Sequence, residues 1–186
     1  MTLIDDQHLI AQARDNPQAF ATLYDRHVDR IYGYAYRLLQ DDALAQDTTA
    51  VTFEKALRHL QHYEWQGKSF AAWLYRIAHN EAMSQHRKRK WLAPWPHWQG
   101  STEKRSTETA VLTAERHRQL HHALAQLSLT DRSVLTLRFF EELPTDDIAA
   151  ILNCSKDTVY LRLHRALKRL QQHLIVNNQL SVFSNR

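Results

Sequence analysis

The stretch TDDIAAILNCSKDTVYLRLHRALKRL, from Thr145 to Leu170, constrains the fold more than any other part of the chain. Asp146 and Asp147 suit the first turn of a short helix, where carboxylates meet the positive end of the dipole. Ile148, Ala149, Ile151 and Leu152 supply its buried stripe. Asn153 then stands where the backbone must pass through the left-handed region, which Asn tolerates better than most residues bearing a side chain. Ser155 follows as the N-cap of a long basic helix. A short helix, a tight turn and a second helix make a helix-turn-helix.

On the second helix Val159, Leu163, Ala166, Leu167 and Leu170 form the inward stripe, leaving Lys156, Thr158, Tyr160, Arg162, Arg165 and Arg169 on the other face. A helix of this kind enters the DNA major groove with its N-terminal residues against base edges. Arg162 and Arg165 suit guanine edges or phosphates, and Arg169 is better placed for the backbone. The plain alternative is a helical hairpin with a solvated basic face; the turn chemistry and the charge together favour DNA.

The rest of the chain reads as helical too. It has three Gly and four Pro in 186 residues, with Ala, Leu, Gln, Arg and His plentiful, so an all-α fold is predicted. A short helix from about Asp6 to Arg14 precedes one that Asn16 caps and Pro17 begins, whose stripe is Phe20, Leu23, Tyr24, Val28, Ile31, Ala35, Leu38 and Leu39. A third, from Asp42 to Leu60, carries Leu44, Val51, Phe53, Ala56 and Leu57. A fourth runs from Phe70 into the basic run Arg87-Lys88-Arg89-Lys90, after the polar loop QHYEWQGKS. Residues 91–110, with two prolines, a glycine and many Ser and Thr, read as a linker, although Trp91, Trp95 and Trp98 suggest that part of it packs against something. Helices are predicted next at 111–127, 131–141, 145–152 and 156–174, then a frayed tail. The expected organisation is a helical bundle at 1–90, a linker at 91–110, a helix-turn-helix domain at 111–175 and a tail at 176–186.

Charge is segregated. Residues 1–60 hold six Lys/Arg against nine Asp/Glu, residues 61–105 eight against three, and residues 106–186 ten against eight, which suggests different partners for the front and the middle. A single cysteine, Cys154, excludes an internal disulfide framework and a cysteine-cluster zinc site, in keeping with a cytoplasmic protein. No secretory leader and no membrane span is read, so membrane insertion is not expected. Among the twelve histidines, His117, His121 and His122 share helical spacing, but no Cys or acidic cluster completes a metal site. With no glycine-rich phosphate loop and no catalytic triad motif, neither a cofactor nor an enzymatic activity is expected.

Two segments in fixed order carry a resemblance. LSLTDRSVLTLRFFEELPTDDIAAIL with RLHRALKRL is similar to region 4, and AFATLYDRHVDRIYGYAYRLL with SFAAWLYRIAHNEAMSQHRKRK to region 2, of the sigma-70 superfamily in its extracytoplasmic-function (ECF) group. The resemblance implies two helical domains on a flexible linker, binding to core RNA polymerase and promoter DNA, and regulation by an anti-sigma factor. It implies that the helix from Lys156 reads the minus-thirty-five element and that the N-terminal domain reads the melted minus-ten element. For the latter, Tyr63, Glu64, Trp65, Lys68 and Ser69 offer aromatic and polar groups suited to an unstacked base. Trp73, Arg76, Asn80 and Arg87 follow along one helical face, with Trp73 open between core and base contact and Phe70 read as core.

The polymerase-binding surface departs from the family pattern. Where relatives carry Asp-Leu-hydroxyl-Gln-Glu before an apolar and aromatic pair, this chain has Asp47-Thr48-Thr49-Ala50-Val51-Thr52-Phe53. Asp47, Thr49, Ala50, Val51 and Glu54 are the implied contacts, and losing the Gln and Glu side chains weakens docking by on the order of a kcal/mol each unless apolar contact substitutes. A sigma-like DNA-binding regulator, or a sequestered interaction protein with weakened docking, is therefore the alternative. On the recognition helix Tyr160 and Leu161 occupy positions usually basic or small, so Tyr160 meets a thymine methyl or Leu161 turns into an altered core. Cys154 falls where relatives have a buried aliphatic residue and is read as core.

Overall fold

Helix α1 (Leu3–Ala13) lies against α2 (Pro17–Leu39), and Asn16 opens α2 as its sequence predicts, accepting the Gln18 N–H at 3.0 Å with Pro17 at the first position. The computed structural model describes residues 3–64, 69–92, 119, 120 and 122–184, and they form helices and their connections with no strand among them. Gln40 closes α2 in a left-handed conformation, φ 54°, with its N–H bonded to the Tyr36 carbonyl at 2.8 Å. Asp41 caps α3 (Asp42–His59) by accepting the Leu44 N–H at 3.1 Å. A 3₁₀ turn at Leu60–His62 follows, and α4 (Phe70–Leu92) completes the first half.

The buried stripe of α2 differs in part from the predicted one. Leu23, Ile31, Ala35 and Leu38 are buried as expected, but Tyr24 is 40% exposed, while His27 and Tyr34 fill the interior. The cause is that α2 is covered on more than one side, by α1, α3, α4 and the second half, so its buried face follows the row 23, 27, 31, 34, 38. On α3 the inward row is Ala45, Thr48, Thr49, Thr52, Phe53 and Ala56, and Leu57 is 52% exposed. Small side chains bring α3 close to its neighbours, and Thr49 and Thr52 satisfy their hydroxyls on the Ala45 and Thr48 carbonyls at 2.7 Å. Phe70 is core, 1% exposed, as predicted.

In the second half residues 122–125 are helical, and α5 (Leu129–Leu135) begins at Ser128, whose hydroxyl accepts the Asp131 N–H at 3.1 Å. The helix predicted at 131–141 is thus two residues early at its start, and it widens into a π turn at Thr136–Phe140. Helices α6 (Thr145–Ile151) and α7 (Lys156–Ser184) follow; α7 continues through the segment expected to fray from residue 176. Val134, Leu137, Ile148, Ile151, Val159 and Ala166 are buried together, whereas Leu167 is 43% exposed because the neighbouring Ala166 takes the inward position. The linker residues 93–110, Trp95 and Trp98 among them, and His117 and His121 lie outside the described residues.

The two halves pack against each other, α2 against α5 and α4 against α6. Arg132, 8% exposed, donates to the Leu38 carbonyl at the end of α2 and to the Leu124, Ala125 and Leu127 carbonyls of its own half. This guanidinium meets helix C-terminal carbonyls, the negative end of the dipole. Beside it Tyr34, Ser133 and His79 converge: each hydroxyl lies 3.0–3.1 Å from His79 Nδ1, and the two hydroxyls lie 3.0 Å apart. Burial and the nearby Arg162 cation hold His79 down to about 4, so at neutral pH its ring is uncharged. The two halves are therefore closed on one another through a continuous apolar core and these hydrogen-bonded polar groups.

Candidate nucleic-acid interfaces

The helix-turn-helix is built as its sequence dictates. Asn153 takes φ 48°, the Cys154 N–H reaches back to the Ala149 carbonyl at 3.0 Å, and Ser155 accepts the Thr158 N–H at 3.2 Å. Lys156 bridges to Asp146 at 2.5 Å, tying α7 to the start of α6, and that carboxylate raises the Lys156 pKa. Cys154 is half-buried and packs against the core.

Of the six residues read as minus-thirty-five contacts, Lys156, Tyr160 and Arg165 are exposed at the N-terminal part of α7. Leu161 is 49% exposed, so it joins Tyr160 at 59% on the outside and does not form an altered core. Thr158 is half-buried, with its hydroxyl 2.8 Å from that of Ser155. Arg162 is half-buried, and its charge helps to hold the His79 pKa down. Arg169 forms an ion pair with the buried Asp131 at 2.5 Å, which makes it a brace between α7 and α5.

In the first half Arg76, Asn80 and Arg87 are exposed along one face of α4, and Trp73 is half-buried beside them. Two residues read as base contacts serve the fold. Tyr63 is 8% exposed, packed on Trp73 at 4.6 Å and on Phe70 at 5.7 Å between ring centres, and burial pushes its hydroxyl up to about 12. Ser69 caps α4, accepting the Ala72 N–H at 3.1 Å. Glu64 is exposed, and Trp65 and Lys68 lie outside the described residues.

The aromatic cluster positions one wall of a cavity of about 220 Å³ between α3 and α4, lined by Lys55, His59, Trp73, Ile77 and Asn80. Lys55 is fixed there by Glu81 at 2.7 Å. Lys55 and His59 were not singled out from sequence. The signal was present in their i, i+4 spacing opposite Trp73, Ile77 and Asn80, but it required knowing that α3 and α4 are neighbours.

On the outer side of α3, Asp47, Ala50, Glu54 and Leu57 are exposed at helical spacing, with Val51 half-buried, and Tyr24 of α2 stands edge-on to Phe53 at 4.7 Å. Glu54 pairs with Arg58 at 2.5 Å. Thr49, read as a polymerase contact, is 6% exposed and bonded to its own helix, which removes it from that surface. Among the described residues no helix is long and apolar enough to cross a membrane.

Residues 23–92 match the Sigma-70 region 2 family and residues 117–170 the Sigma-70 region 4 family. The RNA polymerase sigma-H factor of Pseudomonas aeruginosa is 31% identical over 94% of this chain and 96% of its own length. The ECF RNA polymerase sigma factor SigW of Bacillus subtilis is 29% identical over 89% and 94%. BldN of Streptomyces coelicolor, also an ECF RNA polymerase sigma factor, is 30% identical over 84% of this chain, which spans 60% of that longer protein. Among solved structures, CnrH in complex with the cytosolic domain of CnrY superposes with a TM-score of 0.70 at 26% identity, covering 92% of this chain and 97% of CnrH. RpoE of Bartonella quintana, in complex with the anti-sigma factor NepR, superposes with a TM-score of 0.65 at 27% identity, covering 84% and 97%.

Proposed function

The chain belongs to the sigma-70 superfamily, in its extracytoplasmic-function group, and from that premise we propose that it binds core RNA polymerase and directs initiation at promoters with two separate elements. The carrying observation is that one chain presents exposed cations on two helices, Lys156 and Arg165 on α7 and Arg76 and Arg87 along one face of α4, the latter beside a cavity walled by Trp73. A duplex element suits the first. Lys156 and Arg165 supply phosphate and base-edge donors, and the outward Tyr160 and Leu161 offer apolar contact to thymine methyl groups.

A melted element suits the second face. A base leaving the stack needs an aromatic surface and a few hydrogen-bonding groups, and Trp73, Asn80 and His59 surround a space of that kind. Arg76 and Arg87 attract the strand that carries it. The α3 face of Asp47, Ala50, Glu54 and Leu57, with Tyr24, is the proposed polymerase contact, where apolar area substitutes for the amide and carboxylate side chains usual in relatives. An anti-sigma factor is the proposed regulatory partner, as in the complex of the Bartonella relative.

Pull-down of core polymerase at low salt, followed by run-off transcription from promoters of the chain's own genome, tests this reading. Retention of polymerase with a discrete transcript is expected. Specific DNA binding without any retention of polymerase would instead identify a sigma-like regulator.

A further inference from the structure

We propose that Arg14, at the end of α1, is a positioning residue for the base-stacking wall: by gripping the Tyr63 backbone it fixes Trp73, and with it which base the cavity between α3 and α4 accepts. The inference rests on the melted-strand reading proposed above. It adds α1 to that reading, a helix outside the cavity's lining of Lys55, His59, Trp73, Ile77 and Asn80.

The grip arises where two helical elements end, because helix ends leave carbonyls without a partner in their own helix. The turn after α1 is pulled tight, with the Asp15 and Asn16 N–H groups both on the Gln12 carbonyl at 3.2 and 2.9 Å. The Arg14 carbonyl accepts Gln61 Nε2 at 2.5 Å. In return the Arg14 guanidinium donates to the Tyr63 carbonyl at 2.6 Å, across 49 positions of sequence. Tyr63 closes the 3₁₀ turn in an extended conformation, φ −70° and ψ 120°, where the repeating bonds of a helix no longer fix its carbonyl. A charged donor supplies the stronger kind of hydrogen bond at that point.

What Tyr63 holds in turn is the wall. Its buried ring leans on Trp73 at 4.6 Å between centres, and Phe70 backs both, 5.7 Å from Tyr63 and 5.5 Å from Trp73. Helix α1 props the same cluster at a second point: Asp6 lies 3.2 Å from His27 Nε2, and His27 stands edge-on to Phe70 at 5.6 Å. Trp73 is half-buried, so part of its ring stays open to a stacked base while the rest is packed. A ring held in place sets the distance from that base to Asn80 and His59, and a shift of about 1 Å takes a base edge out of hydrogen-bond reach. Arg14 is exposed, and a surface arginine can simply attract phosphate; its guanidinium is instead engaged on the one backbone carbonyl whose side chain carries Trp73.

Transcription by core polymerase from a randomised promoter library, with the wild type and with Arg14→Ala, reads the effect on recognition. Arg14→Ala is expected to flatten the base preference about fivefold at one position of the minus-ten block, the position that Trp73→Ala also flattens, and to leave the minus-thirty-five block unchanged. A uniform fall in output with every preference intact marks Arg14 as a stability residue only and overturns the inference, as does an unchanged library. Fluorine NMR of the free full chain carrying fluorotryptophan reads the wall without DNA. The Trp73 signal, identified as the one that Trp73→Phe removes, is expected to shift and broaden in Arg14→Ala while helical circular dichroism stays that of the wild type. An unmoved signal also overturns the inference. If Arg14→Ala fails to fold, Gln61→Ala breaks the reciprocal bond and decides on the same two readouts. A wild type with no preference in the minus-ten block removes the melted-strand reading and the recognition role with it, and the Trp73 signal still decides whether Arg14 positions the wall.

Discussion

Arg165 and Glu142 show how differently single residues contribute. Arg165 is an exposed cation on α7, and under the proposed function its truncation removes a DNA contact and little else. Arg165→Ala is expected to weaken promoter binding about tenfold in a fluorescence titration while leaving polymerase binding unchanged. Loss of polymerase binding would mean that the two surfaces are wrongly assigned. Glu142 adopts φ 54°, a left-handed backbone that glycine enters without steric cost. Glu142→Gly is therefore expected to raise stability by about 0.5–1 kcal/mol, read as a higher urea midpoint at constant slope. Neither Glu142 nor Gln40 was flagged from sequence as left-handed, whereas Asn153 was, because only Asn has a side chain that advertises the turn.

Among the elements, those whose signals are local were legible in advance. Asn16 with Pro17, and Ser155 after Asn153, each identify a helix start through a hydrogen bond made within three residues. Ser155→Ala is accordingly expected to cost about 1 kcal/mol in thermal or urea unfolding and to weaken duplex binding by fraying the first turn of α7. An unchanged midpoint would show that the cap contributes nothing there. The stripe of α2 was read less well, since Tyr34 and His27 are buried by partners that the sequence of α2 does not contain. The same holds for the site. The exposed cations of α4 and α7 follow from periodicity, but Tyr63, Ser69 and Thr49 turned out to serve packing and capping, and Lys55 and His59 joined the cavity only through tertiary contact.

For the whole molecule, the packing of the halves was the least legible feature, because its polar contacts join residues such as Arg132 and Leu38, far apart in sequence. It has a pH signature. His79 is held down to about 4 between the halves, against an ordinary value near 6.5 when unfolded. As pH falls through 6.5 the unfolded chain takes up a proton that the native ring refuses, so stability declines until about pH 4 and the loss then levels off. The total is about 3 kcal/mol, and His27, lowered by burial, acts in the same direction. Urea unfolding at pH 7, 5.5 and 4.5 should show a steeper decline for the wild type than for His79→Gln; parallel declines would remove His79 from the account.

The central claim, that one chain reads two separated promoter elements for polymerase, is tested most directly by transcription from a randomised promoter library with core polymerase and this protein. The account expects transcripts that depend on the protein and arise from templates sharing two sequence blocks, one near minus thirty-five and one near minus ten. Transcripts enriched for a single block, or no transcripts above core polymerase alone, would contradict it.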